Sequence, residues 1–187
     1  MTGELSDASG GGVIWICGLA GVGKTTLALE VTRLMAEVHA SVVRIDGDEF
    51  RRAFMSSAGY EPEDRINVAR TISRYAWALA RQGSLCVVAT ISLFAEIHDG
   101  NRACERAYQL PLIQSLLSAP GSMLQERRAA LMRSTTPIVG THIKAELPTA
   151  PEHTFFNDGR IDALLAEAVP LRAAWLARQA TSTHRAT

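Results

Sequence analysis

The sequence predicts an α/β domain in three layers, with helices on both faces of a mostly parallel sheet of about five strands. Three observations carry this expectation. Short apolar runs of strand-forming residues alternate with segments of helical period. The length, 187 residues, suits one well-buried core and falls short of two ordinary domains. The composition, 47% hydrophobic and 20% charged, is that of a globular chain rather than a disordered or fibrous one.

Residues 1–12, rich in Gly and Ser, read as a flexible lead to a domain spanning 13–180. VIWIC (13–17) is the first strand and ends directly on Gly18. From Thr25 to about His39 apolar residues recur at helical spacing, at Leu27, Val31, Leu34, Met35 and Val38. SVVRID (41–46) reads as the second strand and 64–82 as a long helix. SLCVVATIS (84–92) is a third strand, apolar enough to be buried on both faces. A weaker strand falls on Leu112 to Leu117 and a last one near Phe155 and Phe156. An amphipathic helix from about Ile161 to Arg178 closes the domain, and 181–187 read as a flexible tail.

Nineteen basic and nineteen acidic residues cancel, which argues against a nucleic-acid coat or an electrostatic membrane binder. No apolar run approaches the roughly 20 residues of a membrane helix, and the opening MTGELSDASGGG is too acidic and polar for a secretory signal. Cys17, Cys86 and Cys104 have no CxxC spacing, as expected of buried thiols in a reducing cytoplasm. The five histidines lack zinc-ligand spacing; His98 and His142 fall in regions expected near the cleft, with a plain surface role the favoured reading over one in the site. Trp15, Trp77 and Trp175 are expected in the core.

GLAGVGKTT (18–26) fits G-x-x-x-x-G-K-[ST] between a strand and a helix, the phosphate-binding P-loop. Gly18, Gly21 and Gly23 let the backbone of Leu19, Ala20 and Val22 curl so that N–H groups converge on phosphate oxygens. The helix that follows adds the positive end of its dipole. Lys24 reaches the β- and γ-phosphates, the Thr25 hydroxyl ligates Mg²⁺, and Thr26 lies in the same helical turn. ATP and Mg²⁺ are therefore the expected cofactors. The lysine is informative because only Lys24 and Lys144 accompany seventeen arginines.

Lys144 sits in IKAE, so the N/T-K-x-D element of guanine-specific switches is missing. The third strand ends ATIS with no acid to hold Mg²⁺, as motor and transporter ATPases require. The acids instead follow the second strand, Asp46-Gly47-Asp48. That placement suits a small-molecule kinase, in which a carboxylate orients or deprotonates an acceptor hydroxyl; an ordinary Asx turn is the alternative.

GLAGVGKTT, DGDEFR (46–51), GYEPEDR (59–65) and ATISLF (89–94), in this order and spacing, resemble the adenylylsulfate kinases. VGTHIKAELPTAPE (139–152) extends the resemblance more weakly, to roughly residues 13–160 in all. It implies a P-loop kinase fold with a short lid near 127–145 and transfer of phosphate from Mg-ATP to the 3′-hydroxyl of adenosine 5′-phosphosulfate. By position, Asp48 resembles the catalytic carboxylate and Asp46 its partner near metal and acceptor. Arg51 and Arg65 resemble the arginines that hold the acceptor's phosphate end, and Tyr60 an aromatic against its base. Ile91 and Ser92 resemble the strand end beside the acceptor. Ser92 matches a serine labelled a phosphoserine intermediate in the family; with direct transfer, the resemblance implies a hydrogen-bonding role for it beside the catalytic Lys24, Asp46 and Asp48. Arg102 resembles a further pocket residue, and Arg127 a lid arginine near ATP.

The departures lie on the acceptor side. Val68 stands where the family pattern has asparagine, and Asn67 is one residue early, about 100° around the helix. Leu93 replaces the proline of I-S-P-F, ERRAALM (126–132) replaces R-D-x-K-G-L-Y, and Ile138 replaces a stacking phenylalanine. The expected partner is a small nucleotide acceptor, and a homodimer is compatible with the sequence. Two alternatives stay open: the same chemistry on another nucleotide, such as cytidine diphosphoramidate in a capsule pathway, or a nucleotide-binding module without catalysis.

Overall fold

The computed structural model describes residues 10–131 and 137–183. Strand β1 (Gly12–Cys17) is buried along its whole length and leads through the Gly-rich loop into α1 (Lys24–Met35). Then follow β2 (Val42–Asp46), α2 (Gly47–Phe54), α3 (Pro62–Ala80) and β3 (Leu85–Thr90). The second half holds α4 (Ala95–Tyr108), β4 (Leu112–Ser118), α5 (Gly121–Leu131), β5 (His153–Phe156), α6 (Ile161–Ala166) and α7 (Ala168–Thr183).

All five strands run parallel, in the order β2-β3-β1-β4-β5. Alternation along β1 feeds two cores. Val13, Trp15 and Cys17 face α3 and α4 with Ile72, Trp77 and Ile97, whereas Ile14 and Ile16 face α1 and α7 with Leu27, Val31 and Trp175. The three tryptophans thus take the core positions expected of them. Pairing sets Cys17 level with Thr90, and Asp46 level with Ala89. The carboxyl ends of β1, β2 and β3 therefore open at one edge, beside the point where chain order reverses, which is where open parallel sheets bind ligands.

Several elements differ from expectation. Helices α2, α4 and α5 were not legible, being short, interrupted by Asp99-Gly100, or weakly patterned. The single closing helix is two: Pro170 in the first turn of α7 has no N–H, and its ring excludes the Ala166 carbonyl, so α6 ends there. Helix α7 also runs on to Thr183. Gly11 and Gly12 are buried; a Cβ on Gly11 would lie 1.9 Å from the Ala80 carbonyl oxygen. Of the expected lid, 127–131 continue α5 and 132–136 lie outside the described residues. Val139 and Ile143 pair in a short bridge and are both buried.

His98 is buried rather than at the surface. Gln114 Nε2 lies 2.7 Å from its Nδ1, and its Nε2 lies 3.0 Å from the Glu146 carbonyl. Burial pushes its pKa below the usual value, as suits a neutral ring that donates on one side and accepts on the other. His142 is exposed, as expected.

Candidate active site

The loop Gly18–Thr26 crosses from β1 to α1 at the open edge of the sheet. Gly23, the N-cap of α1, has φ 103°, a left-handed conformation that a side chain would strain. A Cβ there would also meet Asn157 Nδ2 at 2.8 Å and Leu164 at 2.9 Å. Gly18 passes so close to β4 that a Cβ would lie 2.2 Å from the Leu117 carbonyl oxygen. Lys24 Nζ donates to the Leu19 carbonyl at 2.8 Å, curling the side chain over the loop. Val22 is buried against the α1 core, and Thr26 is half-buried in the first turn of α1. Below the loop, burial pushes the Cys17 thiol up to about 12 against the opposing charge of Lys24, so it is no nucleophile.

A cleft of about 300 Å³ opens in front of this loop. Ala20, Gly21, Gly23, Lys24 and Thr25 form one wall, Asp46 and Asp48 another, and Ile91 and Arg127 complete it with their neighbours. Arg127 reaches back from α5, its Nη1 donating to the Gly21 carbonyl at 2.6 Å.

Asp46 ends β2 and caps α2. One carboxylate oxygen accepts from the backbone N–H of Asp48 (3.0 Å) and Glu49 (3.2 Å). The other accepts from the Thr25 hydroxyl at 2.7 Å. Asp48 follows in the first turn of α2, exposed to the cleft. The Asx-turn alternative is thus half true: the Asp46 side chain makes the turn, and the turn presents Asp48.

A smaller cavity of about 30 Å³ adjoins the cleft, bordered by Asp48, Arg51, Arg65, Val68 and Ile91 among others. Asp48 and Ile91 border both spaces. The Tyr60 ring lies beneath two guanidinium groups, 4.5 Å from that of Arg51 and 5.2 Å from that of Arg65. Arg51 donates to the carbonyls of Ala58 (3.0 Å) and Gly59 (2.6 Å), and Arg65 Nε to that of Tyr60 at 2.9 Å. Arg65 also donates to the Pro137 carbonyl, tying α3 to the segment after α5. Burial, reinforced by the like charge of Arg51, pushes the Arg65 guanidinium below its usual pKa.

Two expected residues do not join this group. Ser92 is fully buried, and its hydroxyl accepts from Trp15 Nε1 at 2.9 Å, so it faces the core rather than the cleft. Arg102 borders neither cavity: Glu152 holds its guanidinium at 2.7 and 2.8 Å, Glu105 at 3.2 Å, and the Ala150 carbonyl at 3.0 Å. Conversely, Asn157 escaped sequence reading. Its signal is the Asn-Asp-Gly turn after the last strand, a pattern common to many loops. Among the described residues no group of three His, Cys, Asp or Glu is placed to hold a metal, and no helix is long and apolar enough to cross a membrane.

The family model described as Adenylylsulphate kinase matches residues 10–133. The chain belongs to the adenylylsulphate kinase family. The chain is similar to the cytidine diphosphoramidate kinase of Campylobacter jejuni, 31% identical over 142 residues, covering 74% of this chain and 82% of that protein. The adenylyl-sulfate kinase of Paraburkholderia xenovorans is 31% identical over 123 residues, covering 66% and 67%. Among solved structures, the APS kinase of Mycobacterium tuberculosis in complex with AMPPNP and APS superposes with a TM-score of 0.76 at 26% identity, covering 87% of this chain and 98% of that one. This member of the adenylylsulphate kinase family is accordingly a P-loop nucleotide kinase, a phosphotransferase with an alcohol acceptor.

Proposed function

We propose that the protein transfers the γ-phosphoryl group of Mg-ATP to the ribose 3′-hydroxyl of a 5′-modified nucleotide, with adenosine 5′-phosphosulfate the leading acceptor. The observation that carries this reading is the pair of cavities that share Asp48. One is walled by the P-loop and the other by Arg51 and Arg65. A donor in the first and an acceptor anchored in the second would meet at that carboxylate.

The chain's own residues divide the work. Backbone N–H groups of Gly21 to Thr25 and the start of α1 hold the β- and γ-phosphates. Lys24 leaves the Leu19 carbonyl to neutralise charge shared between them. Thr25 and Asp46 offer hard oxygens 2.7 Å apart, a donor set suited to Mg²⁺, which supplies charge neutralisation on the phosphate oxygens when bound. Arg51 and Arg65 clamp the acceptor's anionic 5′ substituent, and Tyr60 offers a flat face to its base. Asp48 orients the acceptor hydroxyl and takes its proton as the new O–P bond forms. The bond from the γ-phosphorus to the bridging oxygen breaks, and ADP leaves with that electron pair. Arg127 stands over Gly21, beside the donor. The free thiols of Cys17, Cys86 and Cys104 suit a reducing compartment, and we assign the protein to the cytoplasm.

Val68 favours a second reading, in which the acceptor is another 5′-substituted nucleotide such as a cytidine diphosphoramidate. It puts an apolar wall where the family pattern has an amide, in the cavity between Arg51 and Arg65. Competition kinetics on adenosine 5′-phosphosulfate and cytidine-based acceptors, read as ADP release with Asp48→Ala as control, separates the two. A kcat/KM of about 10⁴ M⁻¹s⁻¹ or more on the sulfate nucleotide identifies it as the substrate. Tenfold preference for a cytidine acceptor supports the second reading, and turnover with no nucleotide acceptor overturns both.

A further inference from the structure

Asn157 lies just beyond the end of β5, far from the P-loop in sequence, and is nearly fully buried. Its Nδ2 donates to the Val22 carbonyl at 2.8 Å, and its Oδ1 accepts from the Gly159 N–H at 2.9 Å. Its own N–H donates to the Ser118 carbonyl at 2.9 Å, which continues the β4–β5 pairing and fixes its backbone. The amide is thus held at both ends in one orientation: an oxygen is needed toward Gly159 and a nitrogen toward Val22.

A trans peptide points its C=O and its following N–H in opposite directions. Holding the Val22 carbonyl against Asn157 therefore turns the Gly23 N–H to the other side, where Gly23 borders the cleft. The left-handed φ of Gly23 leaves that peptide free to rotate when nothing holds it, because glycine accepts either sign of φ. The missing Cβ of Gly23 is also what admits Asn157: a Cβ there would lie 2.8 Å from Nδ2.

We infer that Asn157 is a positioning residue for nucleotide binding: it locks the Val22–Gly23 peptide so that the Gly23 N–H faces the phosphates of the donor. The inference rests on the proposed donor site and adds a residue outside the P-loop to its machinery. Asn157 touches no substrate; it acts through one peptide plane.

The test compares wild type with Asn157→Ala and Asn157→Asp, measuring Mg-ATP binding by calorimetry, steady-state KM for ATP against kcat, and thermal unfolding of the unliganded proteins. Asn157→Ala frees the peptide and should raise the ATP Kd and KM about tenfold, the effect of losing one hydrogen bond to a charged group, with kcat changed less than threefold. Asn157→Asp sets a carboxylate oxygen against the Val22 carbonyl and should bind ATP more weakly still. A merely structural role would lower the unfolding temperature and the active fraction, hence kcat, and leave the KM for ATP unchanged. Either that pattern, or ATP binding by both variants within twofold of wild type, overturns the inference while leaving the donor site standing. Failure of wild type itself to bind Mg-ATP overturns both. Should Asn157→Ala not fold, Asn157→Asp carries the test alone: it keeps an oxygen for the Gly159 N–H and loses only the donor to Val22, so unaltered ATP affinity refutes the lock.

Discussion

Asp46→Asn and Asp46→Ala differ in which of the carboxylate's hydrogen bonds survive, and the difference can be measured. In the wild type one oxygen caps α2 through the N–H groups of Asp48 and Glu49, and the other receives the Thr25 hydroxyl. Alanine removes both sets. Loss of the cap costs about 1 kcal/mol, and loss of the bond to Thr25 about another. For a domain of this size, about 2 kcal/mol lowers the unfolding temperature by roughly 4–8 °C. Asparagine keeps an oxygen for the cap but sets an amide beside Thr25, so it should lose about half as much. Activity should not follow stability. Both variants lack the negative charge beside Thr25 that suits Mg²⁺, and both should lose roughly a hundredfold in kcat, the scale of one removed electrostatic group in an active site. Calorimetry on the unliganded proteins and ADP release under saturating Mg-ATP supply the two readings. An Asp46→Asn protein with kcat within threefold of wild type would refute the metal-side role. An unfolding temperature as low as that of Asp46→Ala would refute the capping role.

Arg51→Ala and Arg65→Ala should each raise the acceptor KM about tenfold or more while leaving the KM for ATP within threefold, since their cavity adjoins the donor cleft without forming its wall; an effect confined to ATP in initial-rate kinetics would contradict this. Ser92→Ala should keep kcat within about threefold yet cost about 1–3 kcal/mol, because it strands the Trp15 N–H in the core; a large kcat loss in a stably folded variant would return Ser92 to the reaction. Glu152 carries a pH signature. Burial raises its pKa, but hydrogen bonds from Arg102 and the Gln114 N–H outweigh that and hold it below its usual value of 4.5. A depressed folded value means stabilisation that is present above the unfolded value and lost as pH falls through the folded one. Acid titration of wild type should therefore show a loss of stability below about pH 4.5 that is reduced in Glu152→Gln.

What the sequence alone determined is what lies within one contiguous stretch or one period. GLAGVGKTT needs only its own glycines and the adjoining strand and helix, so the P-loop could be read from nine neighbouring residues. Buried parallel strands announce themselves as apolar runs, so β1 and β3 were plain. Asp46 and Asp48 were found together because cap and carboxylate sit two residues apart. Strand order decided the rest. Placing β1 between β3 and β4, with β5 beyond, brings Asn157 under Val22 and turns Ser92 into the core beside Trp15. It also sets Glu152 beside Gln114, in the amino-terminal half of β4, where it captures Arg102 away from the cleft. An arginine in a motif and an arginine in a salt-bridge cluster are the same letter; only the carboxylates brought to it by folding distinguish them. Local patterns record the conformation of a chain segment, whereas the partner of a buried polar atom is chosen by whichever distant segment the sheet sets beside it.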